Sequence, residues 1–153
     1  MALSINWKTL ADHMESKVRH REQNVTYLYT KAGFMLAAIA LIAQLLPKPN
    51  EIKGCLDTNL VYIAGVSLVA SFIAASISLF SGRYKSAPDA DAVSEQLLKN
   101  PKMKELEFQK WMAESYQAAY INFDDVYSKK DNLLRVAACT TGLALICILL
   151  IRI

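Results

Sequence analysis

The sequence has few of the residues on which catalysis, metal binding and covalent cross-linking usually depend. It has two histidines, His13 and His20, and no carboxylate or cysteine completes a metal-ligand set with them. The chain also lacks a glycine-rich phosphate loop, a Cys-x-x-Cys pair and a serine nucleophile in a glycine elbow. We therefore expect a protein that is not an enzyme and that has no metal site and no cofactor.

Cysteine and net charge are also scarce. Three cysteines cannot supply a disulfide framework, and Cys139 and Cys147 lie in an apolar stretch where cysteine behaves as a small hydrophobic residue. Cys55 lies in a short loop and is either a free thiol or a disulfide partner between chains. A net charge of +3, evenly mixed along the chain, predicts no direct binding of nucleic acid.

Charge is absent from three long apolar stretches. Residues 60–80 carry no charge and would form about 31 Å of helix, which matches the core of a bilayer. Residues 32–46 and 136–151 are shorter, but each can span if Lys31 and Arg135 extend from the helix to the headgroups. The sequence therefore predicts an all-α integral membrane protein with three transmembrane helices. One span plus a soluble bundle is the alternative.

A short cassette precedes the first and the third apolar stretches. Residues 24–31 and 122–129 share an asparagine, four further residues, a tyrosine, a serine or threonine, and a lysine. The matched polar positions are Asn24, Tyr29, Lys31, Asn122, Tyr127 and Lys129. Tyrosine and lysine are common anchors at membrane surfaces. The cassette is therefore either a true repeat or a pair of generic anchors.

The segments outside the apolar stretches also predict helices. Residues 4–31 have the periodicity of an amphipathic helix with Ser4 as its N-cap, and residues 90–99 predict a short helix. Asn100 and Pro101 are the expected N-cap and first residue of a long cytoplasmic helix. We expect this helix to run into the last span.

The long cytoplasmic helix has one apolar, aromatic-rich face. No glycine or proline interrupts residues 102–141, so the helix can run unbroken into the last span, for about 75 Å over residues 101–151. The residues of this packing face are Phe108, Trp111, Met112, Tyr116 and Phe123. We expect the face to pack on the amino-terminal helix or on a neighbouring subunit, because a bare aromatic face of that length would cause association.

These features predict four regions. Residues 1–31 form a cytoplasmic amphipathic helix, and residues 32–80 form the first two transmembrane helices, joined by a short external loop at 47–59. Residues 81–130 form a cytoplasmic linker and helix, and residues 131–153 form the third transmembrane helix.

The middle apolar stretch has a stripe of small residues at helical spacing. The members of this small-residue stripe are Ala64, Ser67, Ser71, Ala74 and Ser78. In lipid, small residues let helices approach closely and serines form hydrogen bonds across the contact. The stripe therefore either packs against the other spans or lines a polar seam or pore once subunits associate. A chain with three spans is too small to enclose a channel, so conduction would require a homo-oligomer.

Eight residues of the stretch 107–150 form one pattern: Phe108, Trp111, Tyr116, Ala119, Asn122, Lys129, Leu133 and Ala137. Through them the stretch resembles the helix and last span of small transmembrane effectors of bacterial antiphage defence. This group includes the Pycsar transmembrane effector and SLATT-domain proteins, and retron-linked membrane effectors are a similar class.

The resemblance implies a latent toxin in the bacterial inner membrane. Such effectors impair the membrane after infection and stop the cell before phage release (abortive infection). A defence-system sensor protein or a nucleotide signal would provide the trigger. Two other functions stay open: a non-toxic anchor or assembly subunit for a soluble partner, and a small transporter. A transporter is disfavoured because no ionisable residue lies at the centre of an apolar stretch.

Basic residues predict the topology. Five precede the first span and nine lie in residues 81–135, whereas the 47–59 loop has two and the carboxyl-terminal tail has one. Cytoplasmic segments are enriched in lysine and arginine. We therefore expect the amino terminus and the large connection in the cytoplasm and the carboxyl terminus outside.

Reporter fusions test this topology. A reporter that is active only outside the cytoplasm should be active when fused after Ile153 and inactive when fused within residues 85–130. A carboxyl-terminal fusion that works only in the cytoplasm would contradict the arrangement of three spans.

Overall fold

The computed structural model describes residues 6–48, 52, 54–80 and 87–152. These residues form four α-helices and no strand: α1 (Trp7–Ala43), α2 (Cys55–Phe80), α3 (Ala90–Lys99) and α4 (Glu105–Arg152). By length and composition, α1, α2 and α4 could each cross a membrane. The predicted all-α class with three helices of this kind is therefore confirmed.

Helix α1 joins the predicted amphipathic helix and the first apolar stretch into one element. It starts after Asn6, whose side chain accepts a hydrogen bond from the backbone N–H of Thr9 at 3.2 Å, as an N-cap does. The predicted cap, Ser4, lies outside the described residues. At the other end, hydrogen bonds between residues three apart tighten the chain over residues 44–46. Pro47, which has no N–H to continue a helix, follows.

The short helix α3 has the predicted bounds, but α4 starts later than predicted. The side chain of Asp89 caps α3 by accepting from the N–H of Ala92 at 2.8 Å. Asn100 ends α3 instead of starting α4, because its N–H bonds to the carbonyl of Gln96. Helix α4 begins at Glu105, where the carboxylate of Glu107 accepts from the N–H of Lys104 at 3.2 Å. This contact is the glutamate half of a capping box, and it favours the later start.

Helix α4 is a single element of 48 residues, about 72 Å long at 1.5 Å per residue. The predicted continuation of the cytoplasmic helix into the last apolar stretch is confirmed.

The described residues belong to two compact units. One, here called the amphipathic unit, lies within residues 1–26 and 82–127; the other, the apolar unit, lies within residues 27–81 and 128–153. Helices α1 and α4 contribute to both units. Both boundaries fall inside the two cassettes, at residues 26–27 and 127–128.

In the amphipathic unit, α1 and α4 run parallel. Trp7 lies under the ammonium group of Lys110, and Arg21 forms an ion pair with Asp124. The two pairs are separated by the same number of residues along each helix, so the helices keep one register. The buried core of this unit consists of Ala11, Val18, Val25, Ala113, Tyr116, Ala119, Phe123 and Val126.

In the apolar unit, α2 runs antiparallel to α4. Ser71 contacts Thr140, and Ser78 contacts Lys130, so residue numbers rise along one helix as they fall along the other. The turn that follows α1 meets α4 at the far end, where the guanidinium of Arg152 lies 3.4 Å from the carbonyl of Leu45. The buried apolar core consists of Ile39, Ala64, Leu68, Ala74, Ala75, Ala137, Ala144, Cys147 and Ile148.

The apolar unit has large hydrophobic side chains on its outside and small or polar ones inside. Among the exposed residues are Phe34, Leu41, Tyr62, Val66, Val69, Phe72, Ile73, Ile77, Phe80, Val136, Ile146, Leu149 and Leu150. A water-soluble bundle would bury such residues. This distribution is that of a helical bundle surrounded by lipid, where the outer surface must be apolar.

We predict that Phe123 is essential to the amphipathic unit. Its side chain is 3 % exposed, so Phe123→Asp would bury an unpaired charge and lower the stability of this unit by about 3 kcal/mol or more. Ile121→Asp is the matched control, because Ile121 on the same helix is 60 % exposed. Limited proteolysis of the detergent-solubilised protein would check this. Equal resistance of both variants would contradict the prediction.

Candidate functional site

The small-residue stripe of α2 faces the interior of the apolar unit. Its five members, Ala64, Ser67, Ser71, Ala74 and Ser78, are all buried, together with Leu68 and Ala75. The opposite face of α2 carries the exposed large side chains. Within one chain, the stripe therefore lies where it lets the other helices approach α2 closely, as expected if it serves helix packing.

Ser71 is the centre of a hydrogen-bonded contact between α2 and α4. The side chain is fully buried (0 % exposed), and its Oγ lies 2.6 Å from Oγ1 of Thr140 and 2.8 Å from the carbonyl of Ser67. Thr140 Oγ1 also lies 2.9 Å from the carbonyl of Val136. Both hydroxyls therefore have acceptors within their own helices and a partner across the contact. Interhelical hydrogen bonds of this kind contribute about 0.6 kcal/mol on average.

A lysine clasp connects all three helices of the apolar unit. It consists of Tyr29 on α1, Ser78 on α2 and Lys130 on α4. The Lys130 ammonium donates to the carbonyl of Ser78 at 2.5 Å, and the Ser78 hydroxyl donates to the carbonyl of Lys130 at 3.3 Å. The same ammonium lies 4.4 Å from the centre of the Tyr29 ring, within the range of a cation–π interaction.

The contacts of Lys130 explain how a cation is held in the interior. Lys130 is 1 % exposed, and in the part of the chain that the structure describes its ammonium is held by the Ser78 carbonyl and the Tyr29 ring. A buried cation is tolerated when hydrogen bonds replace its water.

Lys130 entered the topology prediction only as one of the basic residues of 81–135, and its place in the interior was not predicted. The signal was present in the helical periodicity of α4. Lys130 belongs to the buried row Val126, Lys130, Leu134, Ala137, Thr141, Ala144 and Ile148, whose spacing of three and four residues defines one helix face. Its neighbour Lys129 is exposed, so the two lysines have different environments.

The structure does not gather the six cassette residues into one site. Lys31 is exposed, and its ammonium lies 4.6 Å from the ring of Tyr27. Tyr127 is half-buried, under the guanidinium of Arg21 at 4.9 Å. Asn24 and Asn122 are both half-buried. Tyr29 contributes to the clasp, so the tyrosine of each cassette meets a basic side chain from the other long helix.

The predicted packing face is buried only in part. Tyr116 and Phe123 belong to the core of the amphipathic unit, whereas Phe108, Trp111 and Met112 are half-buried. The rings of Phe108 and Trp111 lie 5.9 Å apart.

Tyr116 is a buried phenol that stays protonated at neutral pH. Burial raises the pKa of its hydroxyl, and the carboxylates of Glu15 and Asp12 act in the same direction against the guanidinium of Arg19. The phenol is therefore neutral under physiological conditions, and it acts as a packing residue.

The histidines and cysteines also show no constellation that carries chemistry. Among the residues that the structure describes, no three histidine, cysteine or acidic side chains are placed to hold a metal ion. His13 and His20 are exposed. Cys55 and Cys139 are exposed free thiols, and Cys147 is buried in the apolar core.

Comparison with known proteins adds no relative. No family model, curated protein or solved structure matches the chain. The argument for function therefore depends on the residues of the two units themselves.

We predict that the lysine clasp stabilises the apolar unit. Lys130→Met keeps the aliphatic stem but removes the bond to the Ser78 carbonyl and the contact with the Tyr29 ring, which should lower stability by about 1–3 kcal/mol. Lys129→Met removes the same charge from an exposed neighbour and should change stability by less than about 0.5 kcal/mol. Thermal unfolding in detergent, followed by circular dichroism, measures both. If the clasp does not stabilise the apolar unit, the two variants will have the same midpoint temperature of thermal unfolding.

Proposed function

We propose that this protein is a membrane-perturbing effector of a bacterial antiphage system, placed in the inner membrane and triggered by infection. The observation that supports this most is the inverted distribution of side chains in the apolar unit. Polar groups lie in its interior, and large hydrophobic groups cover its outside. Such a bundle is inert while closed and exposes polar groups when its helices separate.

The interior polar groups are numerous for so small a bundle. They are Ser67, Ser71, Ser78, Lys130, Thr140 and Thr141, and all of them lie on α2 or α4. We call them the polar seam. A polar group without a partner in hydrocarbon costs several kcal/mol. If α2 and α4 part, the seam would have to find water or a second copy of itself, and either outcome disturbs the bilayer. A homo-oligomer with seams facing one another would admit water and ions.

The amphipathic unit is the proposed receiver of the trigger. It is built from the parallel parts of α1 and α4, and these same two helices continue into the apolar unit. A ligand or partner that binds one arrangement of this pair better than another shifts the population toward that arrangement. A defence-system sensor protein or a nucleotide signal would act in this way. We propose that the resulting effect needs no catalysis, since the chain lacks the motifs of a nucleophile or a cofactor site.

A membrane anchor for a soluble partner is the second candidate, favoured by three exposed leucines of the amphipathic unit. They are Leu97 and Leu98 at the end of α3 and Leu106 at the start of α4. Exposed large apolar side chains are the groups through which an anchor would contact a protein partner. An anchor would bind its partner there and leave the membrane potential unchanged, whereas an effector would collapse it.

Induced expression with a membrane-potential dye separates the two candidates. We expect depolarisation and growth arrest after triggering or overexpression of the wild-type protein. Ser71→Leu places a bulky group at a fully buried position of the seam and adds no charge, so insertion should survive while depolarisation is lost. Ser71→Ala removes only the hydroxyl and should have a mild effect, since such bonds contribute about 0.6 kcal/mol.

Ile73→Leu is the matched control, because Ile73 lies on the exposed face of the same helix. All variants are compared at equal abundance in the membrane fraction. Full depolarisation by Ser71→Leu would show that depolarisation does not depend on the polar seam. A wild-type protein that never depolarises cells would favour the membrane anchor.

A further inference from the structure

A groove runs along the surface of the apolar unit between α1 and α4. Its volume is about 450 Å³. The lining residues come only from these two helices: Lys31, Phe34, Met35 and Ala38 from α1, and Asp131, Leu134, Arg135 and Ala138 from α4.

The two helices contribute to the groove in the same register. On α1 the other lining residues lie three, four and seven positions after Lys31. On α4 they lie three, four and seven positions after Asp131. This spacing is one face of an α-helix over two turns. Two parallel helices with equal register therefore form two straight walls. Ala38 and Ala138 occupy equivalent positions at one end, where both side chains are small.

The groove has a charged end and an apolar end. Lys31, Asp131 and Arg135 lie at the charged end, next to the cassettes, and the other lining residues are apolar. The Arg135 guanidinium donates through Nε to Asp131 at 2.8 Å, and its Nη2 lies 2.8 Å from the same oxygen. A guanidinium has five N–H donors, so Asp131 uses only part of this group. Two cations against one carboxylate give the rim a net positive charge.

We propose that this groove is a binding site for an anionic phospholipid. The phosphate would lie between Lys31 and Arg135, and one acyl chain would follow the apolar walls past Phe34 and Leu134 towards Ala38. The distance from Lys31 to Ala38 along the helix is about 10 Å, which suits the upper part of an acyl chain. Basic pockets between transmembrane helices bind acidic headgroups by this combination of charge and depth.

Charge complementarity favours an anionic lipid over a zwitterionic one. A zwitterionic headgroup would bring its own cation to a rim that already has a net positive charge. A soluble anion would use the rim but none of the apolar walls. The inference rests on the proposed membrane insertion and not on toxicity, so the lipid site can be tested on protein that has never been triggered.

Native mass spectrometry of the detergent-solubilised full chain measures the site directly. Phosphatidylglycerol and phosphatidylcholine with identical acyl chains are titrated separately. We expect the first phosphatidylglycerol to bind at least fivefold more tightly than phosphatidylcholine. Arg135→Gln should weaken phosphatidylglycerol binding about fivefold, which corresponds to about 1 kcal/mol per basic residue. The double variant Lys31→Gln/Arg135→Gln should abolish the preference.

Lys129→Gln is the matched control for charge, because Lys129 is exposed and does not line the groove. It should change binding by less than twofold. If wild-type protein shows no preference for phosphatidylglycerol, or if the double variant keeps the preference, the proposal is overturned.

A second pair of variants tests the walls of the groove. Ala38→Leu places a larger side chain at the apolar end of the groove and should weaken binding of both lipids at least fivefold. Ala37→Leu makes the same change at the adjacent exposed position outside the groove and should have no effect. Circular dichroism spectra identical to wild type would show that each variant is folded. A loss caused by the charge variants but not by Ala38→Leu would mean attraction by surface charge alone and would contradict a lipid groove.

Free glycerol phosphate distinguishes a headgroup site from a lipid site. In excess, it should fail to displace phosphatidylglycerol, because it gains nothing from the apolar walls. Efficient displacement would assign the rim to a soluble phosphate and overturn the proposal. Protein that depolarises cells but shows no preference for phosphatidylglycerol would refute the lipid site and leave the proposed function standing. Protein that prefers phosphatidylglycerol but never depolarises cells would support the lipid site and contradict the proposed function.

Discussion

The apolar unit depends on the close approach of α2 to its neighbours. Lipid tails are as apolar as leucine, so burial of large hydrophobic groups gives transmembrane helices little reason to associate. Close packing of small residues and hydrogen bonds between helices provide the attraction instead. Ala64, Ser67, Ser71, Ala74 and Ser78 supply the small surface, and Ser71 and Ser78 also supply bonds to α4. A larger side chain in this row would remove the contact and the bonds together.

The sequence allowed the helices to be predicted, because each helical signal is local. Helix α2 contains the uncharged run of residues 60–80, and α3 is the short segment at 90–99. The absence of glycine and proline over residues 102–141 predicted that α4 has no break before the last span. The start of α4 could not be predicted in the same way. Asn100 and Pro101 suit both the end of one helix and the start of another, and the choice depends on whether the carboxylate of Glu107 caps Lys104.

The candidate site was predictable in its composition but not in its contacts. Helical spacing identified the row of small residues on α2, although it could not tell what that row touches. Lys130 illustrates the difference. Beside an apolar stretch, a lysine usually extends to the headgroups, yet this one donates to the Ser78 carbonyl of α2. Pairings between residues 52 positions apart leave no signal in a single sequence. The same is true of the groove, which requires that α1 and α4 run parallel in equal register.

The position of the lysine clasp in the chain has a consequence for biosynthesis. Helices α1 and α2 are synthesised before α4, so the row of small residues on α2 exists before its partners on α4 do. The Ser71 hydroxyl and the Ser78 carbonyl are bonded across the interior only once Thr140 and Lys130 have been made. Closure of the apolar unit therefore has to follow the synthesis of α4.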